Sequence, residues 1–363
     1  MSELINTHDN RVTIRWKLLT SASALALAAY MSSASGAKAE DASRPLIWLE
    51  LDGQFSMQKT DLEIYNPEFL SDSQFDAESK LGIEKTRPNI WDKGASLTFQ
   101  PEGSDWILSA SIRYGQTGRN QRNLHITTVP FSEFYGFEKV YQAYQDYKTQ
   151  SSENHTILDF KVGKDVGLGK FGSDANSVLS VGLRFAQFKS RNHVGFKSQP
   201  TNCPSACPYN KFYASFDGMR RFEGLGPALS WEASAMIAGN RGDGGISLDW
   251  GLNGAVLFGR QKTTVQHQTT ELHFNYQNVF IGHPATSVVY QNTPLPSARS
   301  KKVTVPNLGG FAAVSWRYAD AKISLGYRAD MFFGAIDGGI DAAKKENRGF
   351  YGPFASISIG IGD

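Results

Sequence analysis

The stretch that decides the fold class is Val314–Gly334, VSWRYADAKISLGYRADMFFG. On both sides of a short turn at 319–321, every second position holds an apolar side chain, and the positions between hold mostly Ser, Gly, Arg or Asp. A two-residue repeat is typical of β-strands, so the stretch predicts a hairpin with one apolar and one polar face. In a soluble protein the apolar face would form a core. In a membrane barrel it would meet lipid, and the polar face would line the lumen.

The first 39 residues have the organisation of a secretory signal peptide. Three basic residues precede an apolar run over 18–29, and residues 37–39 (AKA) match the small-residue pattern of a cleavage site. The apolar run is too short to span a bilayer. We therefore expect residues 1–39 to be removed after Ala39, leaving 40–363 as one exported domain. A buried N-terminal helix is the alternative.

Composition and charge narrow the class further. The chain has 37 basic and 35 acidic residues, and the predicted signal peptide contains four basic and two acidic ones, so 33 of each sign remain. A neutral chain gives no indication of a nucleic-acid partner. The remaining sequence has no run of about 18 apolar residues, so only a closed barrel could hold it in a membrane. The 35 glycines and the 23 Phe, 14 Tyr and 7 Trp residues favour β structure.

Ten segments alternate between apolar and polar residues: 46–58, 92–99, 104–115, 156–162, 179–186, 225–237, 246–258, 314–318, 323–333 and 349–361. The connections between them are long and short in turn, which is typical of outer-membrane barrels with long external loops and short periplasmic turns. The sequence therefore predicts an all-β transmembrane antiparallel β-barrel of about 10 strands. Eight to twelve strands are possible, because 265–276 and 286–291 could be added strands or could extend the barrel wall.

Aromatic residues support a membrane location. Trp106 and Tyr114 lie at the two ends of one apolar face, where aromatic girdles of membrane barrels occur. Aromatic residues also favour strands in general, so a secreted soluble β protein is the alternative. We expect the outer membrane of a Gram-negative bacterium, with outer-membrane lipids and small solutes or ions as partners. The sequence does not indicate an oligomeric state.

The polar faces of the predicted strands carry charged residues that would line the lumen. Five are basic and seven are acidic: Glu50, Asp52, Asp105, Arg113, Asp159, Lys161, Arg184, Glu232, Asp249, Arg317, Arg328 and Asp330. Charges in a narrow lumen are costly unless they are paired, so many should form ion pairs between strands. Two interpretations follow. The charges could tune a small, weakly selective pore, or they could form a structural network that fills the barrel.

Three stretches resemble a known family. They are residues 222–227 (FEGLGP), 325–330 (LGYRAD) and 349–354 (GFYGPF). They are similar to signatures of the Legionella major outer membrane protein-like family of pore-forming proteins, and the resemblance covers the C-terminal part of the chain. It implies a porin-like barrel for passive diffusion of small solutes or ions, with no catalytic residues and no cofactor.

The third long loop contains the two cysteines of the chain, Cys203 and Cys207. In an exported protein, two cysteines at this spacing predict a small disulfide-closed loop. A metal site would need more ligands, and only His193 is near in sequence, so we expect no metal.

The second long loop contains an amphipathic pattern over 134–148, where aromatic and aliphatic residues recur at helical spacing. This predicts a short helix at the barrel mouth or on the outer leaflet. Ordinary packing within the loop is the alternative to a ligand-binding role.

Enzymatic function is the main competing interpretation. The histidines expected in external loops or at a strand top are His125, His155, His193, His267, His273 and His283. His155, close in sequence to Asp159, is the best candidate for a general base. No nucleophile motif accompanies it, so we expect no enzyme. A closed barrel that acts through its external loops, as an adhesin, a structural protein or a surface hydrolase, is the alternative to a pore.

Overall fold

The computed structural model describes residues 47–59, 62–63, 65, 67, 89–101, 104, 106–117, 120–128, 131–134, 137–140, 143–166, 176–200, 211–240, 244–275, 286–318 and 320–361. These residues belong to one compact unit that covers 44–363. The predicted signal peptide (1–39), the predicted disulfide (Cys203, Cys207) and Asp105 lie outside the described residues.

Within these ranges the chain forms β-strands throughout. They are β1 (Ile47–Lys59), β2 (Asn89–Phe99), β3 (Trp106–Gln116), β4 (Asn120–Thr128), β5 (Phe131–Phe134), β6 (Phe137–Val140), β7 (Ala143–Asp165), β8 (Asn176–Pro200), β9 (Lys211–Asn240), β10 (Gly244–Asn275), β11 (Thr286–Asn292), β12 (Ser297–Tyr318), β13 (Ala321–Asp337) and β14 (Lys345–Ile361).

Ten of these strands close into an antiparallel barrel in the order β1-β2-β3-β7-β8-β9-β10-β12-β13-β14. The last strand, β14, pairs with β1 from Ile47↔Ile361 to Lys59↔Gly349, so the barrel has no free edge. β4 adds to the outer part of β7, β11 adds to the outer part of β10, and β5 and β6 form a separate hairpin. The predicted all-β fold and the predicted ten strands are both confirmed.

The strands differ widely in length. β7, β8, β9, β10 and β12 contain 23, 25, 30, 32 and 22 residues. A membrane-spanning strand needs only about 9–11 residues, so these five strands continue well beyond the bilayer. Their extra length lies at the end away from the chain termini, which is the external end in barrels of this type.

The prediction of long external loops is therefore partly wrong. Much of 189–217 and 261–306 is strand, and the stretches 265–276 and 286–291 extend the wall and add β11. The predicted helix at 134–148 is also wrong. Its described residues lie in β5, β6 and β7, because pairing of β7 with β4 and β8 gives the backbone its hydrogen-bond partners between strands.

The apolar faces of the barrel strands point outward. Large apolar side chains exposed on the exterior include Leu51, Leu183, Leu229, Leu252, Leu308, Val314, Leu325 and Ile357. The alternate residues point inward, and many of them are buried polar or charged groups. This distribution is the reverse of a soluble sandwich and matches a barrel with a lipid-facing belt. Among the described residues, no helix is long and apolar enough to cross a membrane.

Candidate functional site

The interior of the barrel is the candidate site, because it gathers the charged residues predicted from the sequence. The structure places all eleven described members on the inward face: Glu50, Asp52, Arg113, Asp159, Lys161, Arg184, Glu232, Asp249, Arg317, Arg328 and Asp330. They are not evenly spread along the lumen. They form clusters at successive heights, and each cluster joins strands that are distant in sequence.

The cluster nearest the periplasm is centred on Asp249 of β10. Its Oδ1 accepts hydrogen bonds from Ser234 at 2.6 Å and Arg317 at 3.2 Å, and its Oδ2 accepts from Ser315 at 2.6 Å and Lys322 at 3.2 Å. Ser247 also donates to Oδ1 at 3.1 Å. Two cations and three hydroxyls therefore neutralise and solvate one carboxylate, and these contacts offset the cost of taking it out of water.

The middle of the lumen is occupied by Arg184 of β8. Its guanidinium makes a two-pronged contact with the Asp159 carboxylate at 2.7 and 2.8 Å. The same group donates to the Asn253 side-chain oxygen at 2.7 Å and to the side-chain oxygen of Asn307. One buried side chain thus connects β7, β8, β10 and β12. Planar guanidinium and carboxylate groups pair strongly in this geometry.

A second ion pair crosses the lumen at this height. Arg113 of β3 lies 2.6 Å from Asp330 of β13, and Asp330 also lies 4.0 Å from Arg184. These contacts form a continuous chain from Arg113 through Asp330 and Arg184 to Asp159. Together with Asn253 and Asn307, these residues are called the central ion-pair layer below.

Smaller contacts line the space between the two clusters. Lys161 binds Glu232 at 2.9 Å, and Arg328 binds Asp52 at 2.9 Å while its guanidinium lies 4.5 Å from the centre of the Phe354 ring. Glu50 accepts a hydrogen bond from Ser358 at 2.8 Å. Eleven of the charged residues predicted to line the lumen are described by the structure. Each of these therefore contacts an oppositely charged group or a polar side chain.

An apolar layer lies on the external side of the central ion-pair layer. The rings of Phe188, Phe222, Phe332 and Phe350 are buried against one another, with Phe188 4.7 Å from Phe332 and 5.6 Å from Phe350 between ring centroids. Buried aliphatic side chains complete this aromatic layer: Ile90, Ile157, Leu257, Val305 and Ile336. Since the contributing strands come from all sides of the barrel, the layer extends across the lumen.

His155 lies beside the aromatic layer and not in an external loop. Its ring is fully buried, its centroid is 4.0 Å from that of Phe350, and its Nε2 lies 3.4 Å from Asp92 Oδ1. Asp159, its neighbour in sequence, is bound to Arg184 at a different height in the lumen. His155, the general-base candidate of the enzyme interpretation, is therefore a buried interior residue that lies beside Asp92 and Phe350.

The remaining described histidines belong to strands, where loops were expected. His125, His193 and His267 lie in β4, β8 and β10 and contact the carboxylates of Asp146, Asp217 and Asp341 at 2.6, 2.8 and 3.1 Å. His273 also lies in β10, and His283 is outside the described residues. Within the described ranges, no group of three or more His, Cys, Asp or Glu side chains is placed to hold a metal ion.

A further buried ion pair lies near His155. Arg348 of β14 and Glu153 of β7 are both buried, with Arg348 Nε 3.2 Å from Glu153 Oε1. The two Nη atoms of Arg348 make no hydrogen bond to the described residues. Buried cations with unused donors are rare, and internal water is the ordinary way to satisfy them.

The external end of the lumen is covered by residues 337–344, which join β13 to β14 and are called the external cap. Arg220 of β9 donates to the backbone carbonyls of Asp337 and Gly338 at 3.1 and 3.2 Å. Arg299 of β12 binds the Asp337 carboxylate at 2.8 Å and donates to two further cap carbonyls at 2.7 and 2.8 Å. The cap is thus fixed to the barrel wall by two arginines, one on β9 and one on β12.

Sequence reasoning missed several interior residues. Asp92, Glu153, Arg220, Arg299 and Arg348 lie beyond the ends of the predicted segments or in the most weakly patterned one. Continuing the two-residue repeat outward from Asp159 on β7 would have placed Glu153 on the inward face. The predicted segments, however, end several residues before the strands do.

No family model and no curated protein matches the chain. Among solved structures, the outer membrane protease OmpT from Escherichia coli has a TM-score of 0.41 at 9% identity, covering 87% of this chain and 96% of that one. The translocator domain of the autotransporter NalP from Neisseria meningitidis has a TM-score of 0.19 at 10% identity, covering 87% and 88%.

A toluene transporter, TbuX from Ralstonia pickettii, has a TM-score of 0.18 at 7% identity, covering 87% of this chain and 89% of that one. The class itself rests on the chain's own geometry, namely a closed antiparallel ten-strand barrel with a lipid-facing exterior. The fold is that of a Gram-negative outer-membrane β-barrel.

Proposed function

We propose that this outer-membrane barrel is closed to free diffusion and acts through the part that extends above the membrane, as a surface-exposed structural or binding protein. The observation that carries the proposal is the aromatic layer. Phe188 and Phe332 meet inside the lumen with 4.7 Å between ring centroids, and both rings are fully buried. Strands β8 and β13, which carry them, are four apart in a ring of ten, so the contact crosses the channel axis.

The other interior layers support a closed barrel. Arg113, Asp330, Arg184 and Asp159 form a chain of ion pairs across the same lumen, and the external cap covers its outer end. A solute that entered from the periplasm would meet, in order, a charged cluster, a paired layer and an apolar layer. Contacts across the lumen in each of these layers favour a structural plug over a porin-like channel.

The proposal is tested by the conductance of the purified protein in a planar bilayer. We expect no discrete current steps, although the protein should show heat-modifiable migration in detergent gels as a folded barrel. Ohmic steps from the unmodified protein would overturn the closed-barrel proposal. They would instead favour the pore suggested by the resemblance to the pore-forming family.

A porin-like pore for small solutes or ions is the second candidate. It is favoured by the open periplasmic part of the lumen, where the side chain of Glu232 is 49% exposed while it binds Lys161. It is also favoured by the unused donors of Arg348, which are typical of a hydrated interior. Conduction would require the aromatic layer to open. Steps that appear only above a threshold voltage or at altered pH would support this candidate.

A further inference from the structure

The outer surface of the barrel carries a concentration of positive charge just above the lipid-facing belt. Five side chains on four neighbouring strands point outward at this height, and we call them the basic patch: Lys189 of β8, Arg221 of β9, Arg260 and Lys262 of β10, and Lys302 of β12. All of them except Lys189 line part of a surface groove with a volume of about 780 Å³.

Cations in the basic patch lie directly opposite one another across the strands. Lys189 pairs in register with Arg221, Arg221 with Lys262, and Arg260 with Lys302. Directly opposite residues on one face have Cβ atoms about 4.5–5.5 Å apart, and like charges at that spacing are destabilising. The acidic residue within the patch is Glu223, which binds Arg221 at 2.8 Å. Positive charge therefore remains in excess.

The interior of the same barrel shows the opposite arrangement. There, Arg113, Arg184 and Arg328 each face a carboxylate at 2.6 to 2.9 Å. The chain thus neutralises these three interior cations with its own acids but leaves the outward-facing row unbalanced. An unbalanced row of cations on a stable surface is expected where an external anion completes it.

The position of the basic patch along the barrel axis indicates which anion it faces. Leu225 lies two residues closer to the periplasm than Glu223 on β9, and Phe258 lies two residues closer than Arg260 on β10. Their side chains are 51% and 60% exposed. On β12, the exposed Leu308 lies below Lys302 in the same direction. Two residues correspond to about 7 Å along a strand. The patch therefore lies at the level where lipid tails end and charged headgroups begin.

We propose that the basic patch binds the phosphate groups of the outer-leaflet glycolipid, with the lipid tails lying along the exposed side chains of Leu225, Phe258 and Leu308. The two arginines supply paired N–H donors that fit a phosphate, and the three lysines supply further positive charge. The bound lipid removes the repulsion between opposed cations. This inference depends on the membrane placement of the barrel and is independent of whether the lumen is closed.

The test uses the purified protein in detergent, titrated with lipid A that carries both phosphates and followed by native mass spectrometry. The variant Arg260→Gln/Lys302→Gln removes one opposed pair, and we expect it to bind at least tenfold more weakly. The control Arg122→Gln/Lys148→Gln removes two exposed charges from the outer parts of β4 and β7 and should bind as the unmodified protein does. Enzymatically dephosphorylated lipid A should bind the unmodified protein as weakly as the patch variant binds the phosphorylated lipid.

Three results would overturn the proposal. The first is equal affinity of the patch variant and the unmodified protein. The second is equal affinity for phosphorylated and dephosphorylated lipid, which would mean apolar contact alone. The third is displacement of lipid A by inorganic pyrophosphate at similar concentration, which would mean a soluble anion site. Folding is monitored separately, since in the absence of lipid the patch variant should have an unchanged or higher thermal midpoint because the opposed charges are gone.

Discussion

Phe188 of β8 and Phe332 of β13 meet edge to face inside the barrel, with ring centroids 4.7 Å apart and ring planes at 68°. Directly on the periplasmic side of this contact lies the central ion-pair layer, in which Arg184 binds Asp159. The aromatic layer therefore separates buried charges from the external solution. In such a low-dielectric setting, the ion pairs are stronger and the loss of one partner is more costly.

Removing the two rings should open the barrel. In Phe188→Ala/Phe332→Ala, a cavity replaces the contact that crosses the lumen, and each substitution should cost about 3–5 kcal/mol of stability. We expect the variant to give current steps or liposome swelling where the unmodified protein gives none. The control Phe258→Ala removes a ring that is 60% exposed on the exterior and should stay silent. A folded double variant without conductance would show that the aromatic layer is not the seal.

Arg184 should be the side chain on which the central ion-pair layer depends most. Arg184→Ala leaves Asp159 buried without a cation and removes a neighbour of Asp330, so we expect a loss of about 3–5 kcal/mol in the free energy of unfolding. The measurement is urea unfolding in lipid vesicles. Arg260→Ala removes an exposed arginine from the exterior and should change stability by less than about 0.5 kcal/mol. Similar losses of unfolding free energy in both variants would contradict the view that the central ion-pair layer depends on Arg184.

The number of strands could be predicted from the sequence, but their lengths could not. Within the membrane, lipid outside and polar groups inside impose a strict alternation, as in Leu183 followed by Arg184. Above the membrane, the outward positions meet water, as Lys189 does, and the buried inward positions are often apolar, as in Val194 and Phe196. The apolar residues there lie on the opposite face from those in the membrane, so the repeat does not continue unchanged, while the strands continue because their neighbours supply hydrogen bonds.

The interior site shows a similar limit. The two-residue repeat was sufficient to place Arg113 and Asp330 on the inward face. It did not indicate that they bind each other, because residues 217 positions apart meet only through barrel closure and register. For the same reason, the carboxylate noted beside His155 was that of Asp159, which is close to it along the chain. The structure places His155 against Asp92 of β2.

The external cap should depend on Arg299. This side chain binds the Asp337 carboxylate and two backbone carbonyls of the cap, so Arg299→Gln loses an ion pair and most of the hydrogen bonds. We expect trypsin to cleave at Lys344 or Lys345 several-fold faster in the variant, because local opening exposes the segment. Lys301→Gln, on the same strand, should be cleaved at the unmodified rate. Equal rates in all three proteins would mean that Arg220 holds the cap alone.

The orientation of the barrel wall toward lipid can be tested with two leucines that are both exposed. Leu229 of β9 is 52% exposed within the apolar belt, whereas Leu295 is 91% exposed in the connection between β11 and β12. A lipid-facing arginine near the middle of the bilayer costs about 2–4 kcal/mol, and one in water costs almost nothing. We therefore expect Leu229→Arg to lower the free energy of unfolding in vesicles by that amount and to reduce insertion, while Leu295→Arg has little effect. Equal tolerance of the two substitutions would mean that the face carrying Leu229 meets water, and the membrane placement of the barrel would have to be abandoned.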